Sequence, residues 1–145
     1  MFGFLALLGA LWTAPPCETG FCMCAVREDV ATELAEAHAV FTGRVVAVGD
    51  TVVGDGHFPG PRVRQVTLRV DRAWKGVDSS TVVVVTGMSD GSCGFRFRRG
   101  ASYLVFAHAA DDGSLVTGLC DRTSRLWRAA GTLRALGEPA RRWPR

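Results

Sequence analysis

Four cysteines carry the clearest chemical signal in the chain. Cys22 and Cys24 are separated by one methionine, and Cys93 and Cys120 are the cysteines that follow them. In an extended segment, residues two apart point to the same face, roughly 6.5 to 7 Å from each other, and a bond between Cys22 and Cys24 would close a very small ring. We therefore expect the two thiols to form disulfides with different later segments, which leaves two of the three possible pairings open.

Metal binding is the alternative chemistry for these thiols. A structural zinc site needs ligand spacing such as Cys-x-x-Cys, which the sequence lacks, and His38, His57 and His108 are scattered along it. We therefore predict no metal and no cofactor of the protein's own. A fifth cysteine, Cys17, lies upstream and is expected to be either removed with a leader or left free.

Two patterns typical of hydrolases lack the context that hydrolases need. Residues 87–91 fit the Gly-x-Ser-x-Gly pattern of a nucleophile elbow, but that elbow needs a helix directly after the serine and a large parallel sheet. A cysteine activated by His38 or His108 is the second pattern, and oxidation during export would consume its thiol. We therefore predict that the protein is not an enzyme.

Aromatic and basic residues alternate between positions 95 and 103. Phe95, Phe97 and Tyr103 interleave with arginines, which can bind single-stranded nucleic acid, but the same alternation describes a segment with one face in the core. For an exported protein we predict no nucleic-acid partner, and an acidic glycan or surface polymer remains an alternative. The basic tail, residues 138–145, also suits an anionic surface, although a solvated, frayed terminus is the simpler expectation.

The N-terminal segment is typical of a secretory leader. Residues 1–14 are uncharged and rich in Leu, Phe and Ala, and two prolines follow them. This apolar run is too short to span a bilayer, so we predict no membrane span. We predict that residues 1–21 form a signal peptide and that the protein is secreted or extracytoplasmic, where disulfides persist.

The remaining chain predicts one mostly β domain. Apolar and polar residues alternate over 65–71, which indicates a half-buried strand, and the four consecutive valines within 81–86 indicate a strand buried on both faces. The predicted strands are 40–48, 65–71, 81–86, 103–107 and 115–120. A short, weakly capped helix is expected where Val30, Leu34 and Ala37 lie at helical spacing, with Glu28 and Asp29 in its first turn, and a second helix is expected over residues 126–137.

Closure of the sheet is the expected architecture for these elements. Five short antiparallel strands are more stable as a closed barrel than as an open sheet, because closure removes exposed edges. Gly43 is expected where the first strand bends closely past a neighbour. We therefore predict an all-β fold with flanking helices, a five-stranded OB-fold barrel whose C-terminal helix covers one opening and whose N-terminal segment is tied down by disulfides.

The order and spacing of several motifs resembles the N-terminal, netrin-like domain of the tissue inhibitors of metalloproteinases. The motifs are Cys-Met-Cys at 22–24, Ala-Val-Phe-Thr-Gly-Arg-Val at 39–45, Ala-Trp-Lys-Gly at 73–76, Cys-Gly-Phe at 93–95, Tyr-Leu-Val-Phe-Ala at 103–107 and Leu-Cys followed by Arg-Thr at 119–123. The resemblance covers residues 22–137, and the arginine-rich, lysine-poor composition suggests a bacterial single-domain member. It implies an OB-fold barrel and the disulfides Cys22–Cys93 and Cys24–Cys120.

The resemblance also implies a function. In those inhibitors the mature chain begins at the first cysteine of Cys-x-Cys, whose free α-amino group and carbonyl chelate the catalytic zinc of a protease. Carried to this sequence, Cys22 would be the chelator, Met23 would enter the specificity pocket, and Gly91 and Ser92 would line the contact ridge with Cys24. The alternative is a secreted, non-inhibitory OB-fold module that binds a surface protein or an acidic polymer; the oligomeric state is not predicted.

Overall fold

The computed structural model describes residues 22–53 and 60–145. The predicted signal peptide, Cys17 and His57 lie outside the described residues. The elements in chain order are α1 (Val30–Glu36), β1 (Ala39–Val52), β2 (Arg62–Lys75), β3 (Thr81–Gly87), a 3-10 helix (Asp90–Ser92), β4 (Ser102–Ala109), β5 (Leu115–Val116), β6 (Ser124–Arg125), a second 3-10 helix (Leu126–Arg128), α2 (Ala130–Leu136) and β7 (Arg141–Arg142). The all-β prediction with short flanking helices is confirmed.

Five of the strands form a closed ring. β1 pairs antiparallel with both β2 and β4, β2 pairs antiparallel with β3, and β4 pairs antiparallel with β5. β3 and β5 pair in parallel and complete the ring. Closure satisfies the backbone groups that an open sheet would leave exposed along its edges, as the sequence predicts.

The ring is filled by one apolar cluster and covered by a second. Phe41, Leu68 and Tyr103 are fully buried inside the ring. Because strand neighbours point to opposite faces, Val40 and Leu104 lie on its outer face, where Leu34 of α1 and Leu133 of α2 pack against them. The C-terminal helix therefore packs on the outside of β1 and β4, whereas the sequence predicted that it would cover an opening.

The motif at the end of β2 fixes both helices. The indole nitrogen of Trp74 donates to the carbonyl of Gly137 after α2 at 2.9 Å. The ammonium of Lys75 donates to the carbonyls of Leu34 and Ala35 at 3.1 and 2.7 Å. These two carbonyls lie in the last turn of α1, where no backbone N–H of the helix is available to them. These contacts hold α1 and, through it, the segment that begins at Cys22.

The close approach predicted at Gly43 is present. A Cβ at Gly43 would lie 2.9 Å from the carbonyl oxygen of Arg69 on β2, and the β1–β2 register shifts between Thr42 and Gly43. Backbone atoms leave no room for a side chain here. The glycine therefore allows the two long strands to coil tightly around the ring.

Two strand predictions are wrong in part. β3 is not buried on both faces, because Val83 is 41% exposed while Val84 is fully buried, so only its inner face is covered. The predicted strand over 115–120 ends at Val116, since the chain then turns to bridge Gly118 with Gly94.

Both ends of the domain are held more firmly than the sequence predicted. The tail is not frayed, since Arg141 and Arg142 pair with β2 and Trp143 packs against the ring interior. The expected weak cap of α1 is also wrong. The Asp29 carboxylate accepts from the backbone N–H of Thr32 at 2.8 Å, a normal N-cap, and this bond is the main cause that lowers the pKa of Asp29.

Candidate functional site

Two disulfides attach the N-terminal segment to two different loops. The bonds are Cys22–Cys93 and Cys24–Cys120, with Cα–Cα distances of 5.1 Å in each, and this is the pairing that the resemblance implies. We call the surface formed by residues 22–24, 89–93 and 118–120 the ridge. All of the predicted contact residues belong to it.

The two disulfides lie side by side. The sulfur of Cys22 is 3.5 Å from that of Cys120, although the two belong to different bonds. The sulfurs of Cys22, Cys24 and Cys120 lie within 4.8 Å of one another, a spacing that thiolates could use to bind a metal. Because each sulfur is already in a disulfide, none is the thiolate that a metal needs. The cluster therefore has a structural role.

The loop before Cys93 is shaped by serine hydroxyls and glycines. Ser92 donates its hydroxyl to the carbonyl of Ser89 at 2.9 Å and accepts from the backbone N–H of Ser89 at 3.1 Å. Cys93 then adopts a left-handed conformation, and a Cβ at Gly94 would lie 2.1 Å from the carbonyl oxygen of Gly87. The serine of the Gly-x-Ser-x-Gly pattern is thus part of a tight turn.

The turn presents two small residues to solvent. Gly91 and Ser92 are exposed at the tip of the 3-10 helix, directly before the cysteine that binds Cys22. The geometry therefore brings them to the same surface as Cys22 and Met23. The two pairs are 68 to 70 positions apart in sequence, and the Cys22–Cys93 disulfide brings them together.

The second attachment point is organised by an aspartate. Asp121 accepts from the backbone N–H of Gly118 at 2.7 Å, and the N–H of Leu119 donates to the carbonyl of Cys93 at 2.9 Å. Burial raises the pKa of Asp121, while the Gly118 N–H and His108, 3.6 Å away, act in the opposite direction. Asp121 therefore shapes the loop that carries Cys120, and the Leu119–Cys93 hydrogen bond joins this loop to the other disulfide-bearing loop.

Three exposed apolar side chains lie on or beside the ridge. Met23 is 89% exposed and stands between the two disulfides, and Val26 is 94% exposed just beyond them. Leu119 adds a further half-exposed side chain beside Cys120. An apolar side chain held rigidly in solvent is suited to insertion into a pocket of another molecule.

Arg122 holds the segment that leads from the ridge to α1, and the sequence does not predict this role. Its guanidinium pairs with Glu33 of α1 and donates to the carbonyl of Glu28 at 2.6 Å. The side chains of Arg122 and Glu33 are each 17% exposed, so the pair is largely shielded from water. Arg122 thereby fixes the segment between Cys24 and α1. The sequence shows an Arg-Thr motif here, but nothing local identifies its distant partner.

Two buried threonines anchor the segment that carries Cys120. The hydroxyls of Thr117 and Thr123 are 2.7 Å apart, and both contact the backbone of Phe106 on β4. All of these groups are buried, so the network excludes water and fixes the loop between the threonines. The alternation of polar and apolar residues in the sequence does not signal it.

The remaining candidate residues do not join the ridge chemistry, apart from His108. His108 is exposed, and its Nδ1 lies 3.6 Å from a carboxylate oxygen of Asp121. Phe95, Phe97 and Tyr103 pack on each other inside the molecule, with ring centroids 4.8 to 5.7 Å apart. Their faces are therefore not presented together to bases, and the arginines between them point to solvent.

Asp111, Asp112 and Gly113 form the turn between β4 and β5. Asp112 accepts from the backbone N–H of Ser114 at 2.9 Å, and hydrogen bonds from Ser114 lower the pKa of Asp112. Gly113 has a φ of 83°, which favours glycine.

Comparison with known proteins assigns no family to the chain. No protein-family model matches it, and no curated protein matches it significantly. Across residues 22–53 and 60–145, the helices are too short and too polar to cross a bilayer.

Proposed function

We propose that the protein is a secreted inhibitor of zinc metalloendopeptidases, not an enzyme, built on a netrin-like OB-fold. The observation that carries the proposal is the ridge, in which Met23 stands 89% exposed between two disulfides. Cysteines held in disulfides fit an oxidising compartment, which supports export. The strand order supports the OB-fold, because β5 lies between β3 and β4 in a closed five-stranded ring.

Inhibition would use the main chain of Cys22. After removal of residues 1–21, its α-amino group would be free, and such an amine has a pKa close to 8, so a useful fraction is neutral at pH 7. The neutral amine and the Cys22 carbonyl would donate lone pairs to the zinc of the protease. The disulfide to Cys93 holds these atoms in place, so little conformational entropy is lost on binding.

Met23 would fill the specificity pocket next to the zinc. Its flexible thioether adapts to apolar pockets of different shape. Gly91 and Ser92, exposed beside Cys93, would contact the rim of the active-site cleft, where small residues allow a close approach. The apolar surface around Val26 and Leu119 would bury further area.

The sharpest test compares proteins that differ only at the N-terminus and at Met23. We expect a protein that begins at Cys22 to inhibit thermolysin or a matrix metalloproteinase catalytic domain, and one with a single alanine before Cys22 to lose inhibition. Met23→Gly should weaken inhibition about tenfold or more. It removes a side chain that would be buried in the complex, and burial of a methionine contributes about 1.5 to 3 kcal/mol.

Val26→Gly is the matched control, since Val26 is equally exposed but lies outside Cys-x-Cys. It should weaken inhibition less than Met23→Gly. Equal inhibition by the Cys22-first and alanine-extended proteins would contradict chelation. N-terminal sequencing of exported protein is the companion measurement, and residues retained before Cys22 would favour the binding module for a surface protein or an acidic polymer.

A further inference from the structure

A second candidate site lies on the outer face of the ring, apart from the ridge. The cavity encloses about 330 Å³ where β1 and β2 shift register, and the start of β4 and the chain end close it. The polar residues that line it are Thr42, Arg44, Arg69, Asp71, Ser102 and Arg145. None of them belongs to the ridge or to the proposed inhibitory contact.

Two arginines face each other across this cavity. Arg44 on β1 and Arg69 on β2 are direct cross-strand partners in the antiparallel register. Both are exposed, and neither forms an ion pair or a side-chain hydrogen bond with any described residue. Like charges directly opposite on a sheet destabilise it. A bound anion would convert this repulsion into two attractions.

The aspartate of the cavity does not neutralise these arginines. Asp71 lies 3.3 Å from the guanidinium of Arg145 and 3.6 Å from that of Arg72, so its charge is already opposed by two others. The side chains of three arginines and one aspartate line the cavity, and the formal charge of these side chains is +2. The cavity is therefore electropositive.

Thr42 supplies an unused hydroxyl at the floor. Thr42 is 0% exposed, lines the cavity, and its Oγ1 has no hydrogen-bond partner among the described residues. A buried hydroxyl that lacks a partner is costly, and such groups are uncommon in native proteins. An acceptor atom would satisfy it, but this oxygen has no solvent-accessible surface, so a ligand in the cavity reaches it only after the side chains around it shift.

We propose that this cavity binds a small tetrahedral oxyanion, either free phosphate or sulfate or the terminal group of a phosphate or sulfate ester. Arg44 and Arg69 hold the anion from both strands, since guanidinium groups match the oxygen pairs of such anions. The hydroxyls of Thr42 and Ser102 donate to the remaining oxygens. The volume is at the lower end of ligand sites, which suits an anion or a small ester.

The test measures phosphate binding by the folded protein at constant ionic strength. Inorganic phosphate and glycerol 3-phosphate are titrated by calorimetry, and the Tm is compared with that in chloride. We expect saturable binding with one site and a Tm that rises with phosphate. The two ligands distinguish the sources, because tighter binding of glycerol 3-phosphate indicates an ester and tighter binding of inorganic phosphate indicates the free anion. Absence of heat and of a Tm shift up to about 20 mM of either ligand would overturn the proposal.

The variants separate the site from general basicity. Arg44→Gln with Arg69→Gln should lower phosphate affinity about tenfold or more, because each arginine donates charged hydrogen bonds. Arg99→Gln with Arg134→Gln removes the same charge from exposed positions outside the cavity and should change affinity less than about twofold. Equal losses in the two double variants would overturn the proposal, since they would show non-specific attraction.

Thr42→Val tests the floor of the cavity without a change of charge. We expect weaker phosphate binding by about threefold or more, together with a Tm in chloride that is unchanged or higher, because the unpartnered hydroxyl is gone. The Tm in chloride also shows that the variant folds. Unchanged phosphate affinity in this variant would contradict the role of the Thr42 hydroxyl and with it the site as proposed.

Discussion

The interior of the ring and the ridge are held in place by different forces. Inside the ring, Phe41 and Leu68 are fully buried and contribute through many weak apolar contacts. None of the residues 22–29 is buried, and they are held by two disulfides and by Arg122. The ridge can therefore change its exposed side chains with little effect on the fold, whereas the interior cannot.

The largest expected effect is in the interior. Phe41→Ala removes a fully buried ring from the main cluster and should lower the free energy of unfolding by about 3 to 5 kcal/mol. Urea denaturation followed by tryptophan fluorescence measures it. Met23→Gly is the matched ridge variant and should change stability by less than about 0.5 kcal/mol. Similar losses in the two variants would show that the ridge and the interior contribute equally to stability.

Loss of one disulfide should come next. Cys24→Ala with Cys120→Ala leaves Cys22–Cys93 intact, so the missing bond closes an effective loop of roughly 30 residues, and the chain-entropy model gives about 3 to 4 kcal/mol. We expect the ring to stay folded while amides at residues 117–122 exchange faster. Hydrogen exchange by mass spectrometry measures both. Faster exchange throughout β1 and β2 would instead show that the bond supports the whole ring.

Loss of the ion pair between Arg122 and Glu33 should have a smaller effect on stability. Arg122→Met keeps an apolar stem but leaves the partly buried Glu33 without its partner, which should cost about 1 to 3 kcal/mol. Arg96→Met is the matched control, because its pair with Asp90 is exposed, and it should cost less than about 0.5 kcal/mol. Equal costs would mean that the Arg122 pair contributes no more than a surface pair.

The smallest effect concerns pH. Because the pKa of Asp121 is raised above its ordinary value of 3.8, the folded protein binds this proton more tightly than the unfolded chain does. Its contribution to stability is therefore full below pH 3.8 and declines as the pH rises through the folded pKa. Asp121→Asn should remove that decline, measured as unfolding free energy against pH. Exposed Asp78→Asn controls for the charge, and a parallel profile in both variants would contradict the assignment.

The strands of the ring were predictable because their signals are local. Alternation over 65–71 and the close approach at Gly43 both follow from the period of a strand and from the size of glycine. The errors arise where tertiary structure decides. Val83 on the outer face of β3 is exposed, and Arg141 and Arg142 add a strand beside β2. Neither feature can be predicted from the residues nearby in sequence.

The ridge was predictable only from its cysteines. Their unusual spacing identifies the segment, and the resemblance supplies the pairing. Arg122 and Glu33 are 89 positions apart, so no local pattern connects them. The same holds for Arg44 and Arg69, whose opposition depends on the register that β1 and β2 adopt at Gly43.

Disulfide mapping shows directly whether Cys22 and Cys24 are bonded to two separate loops. Cyanogen bromide cleaves after Met23 and so separates the two cysteines, and trypsin then releases the partner peptides from non-reduced, thiol-blocked protein. We expect two linked species, one in which the fragment ending at Met23 is joined to 89–96, and one in which 24–27 is joined to 100–122. The bonds Cys22–Cys120 and Cys24–Cys93, or free thiols at these positions, would contradict the pairing in the structure.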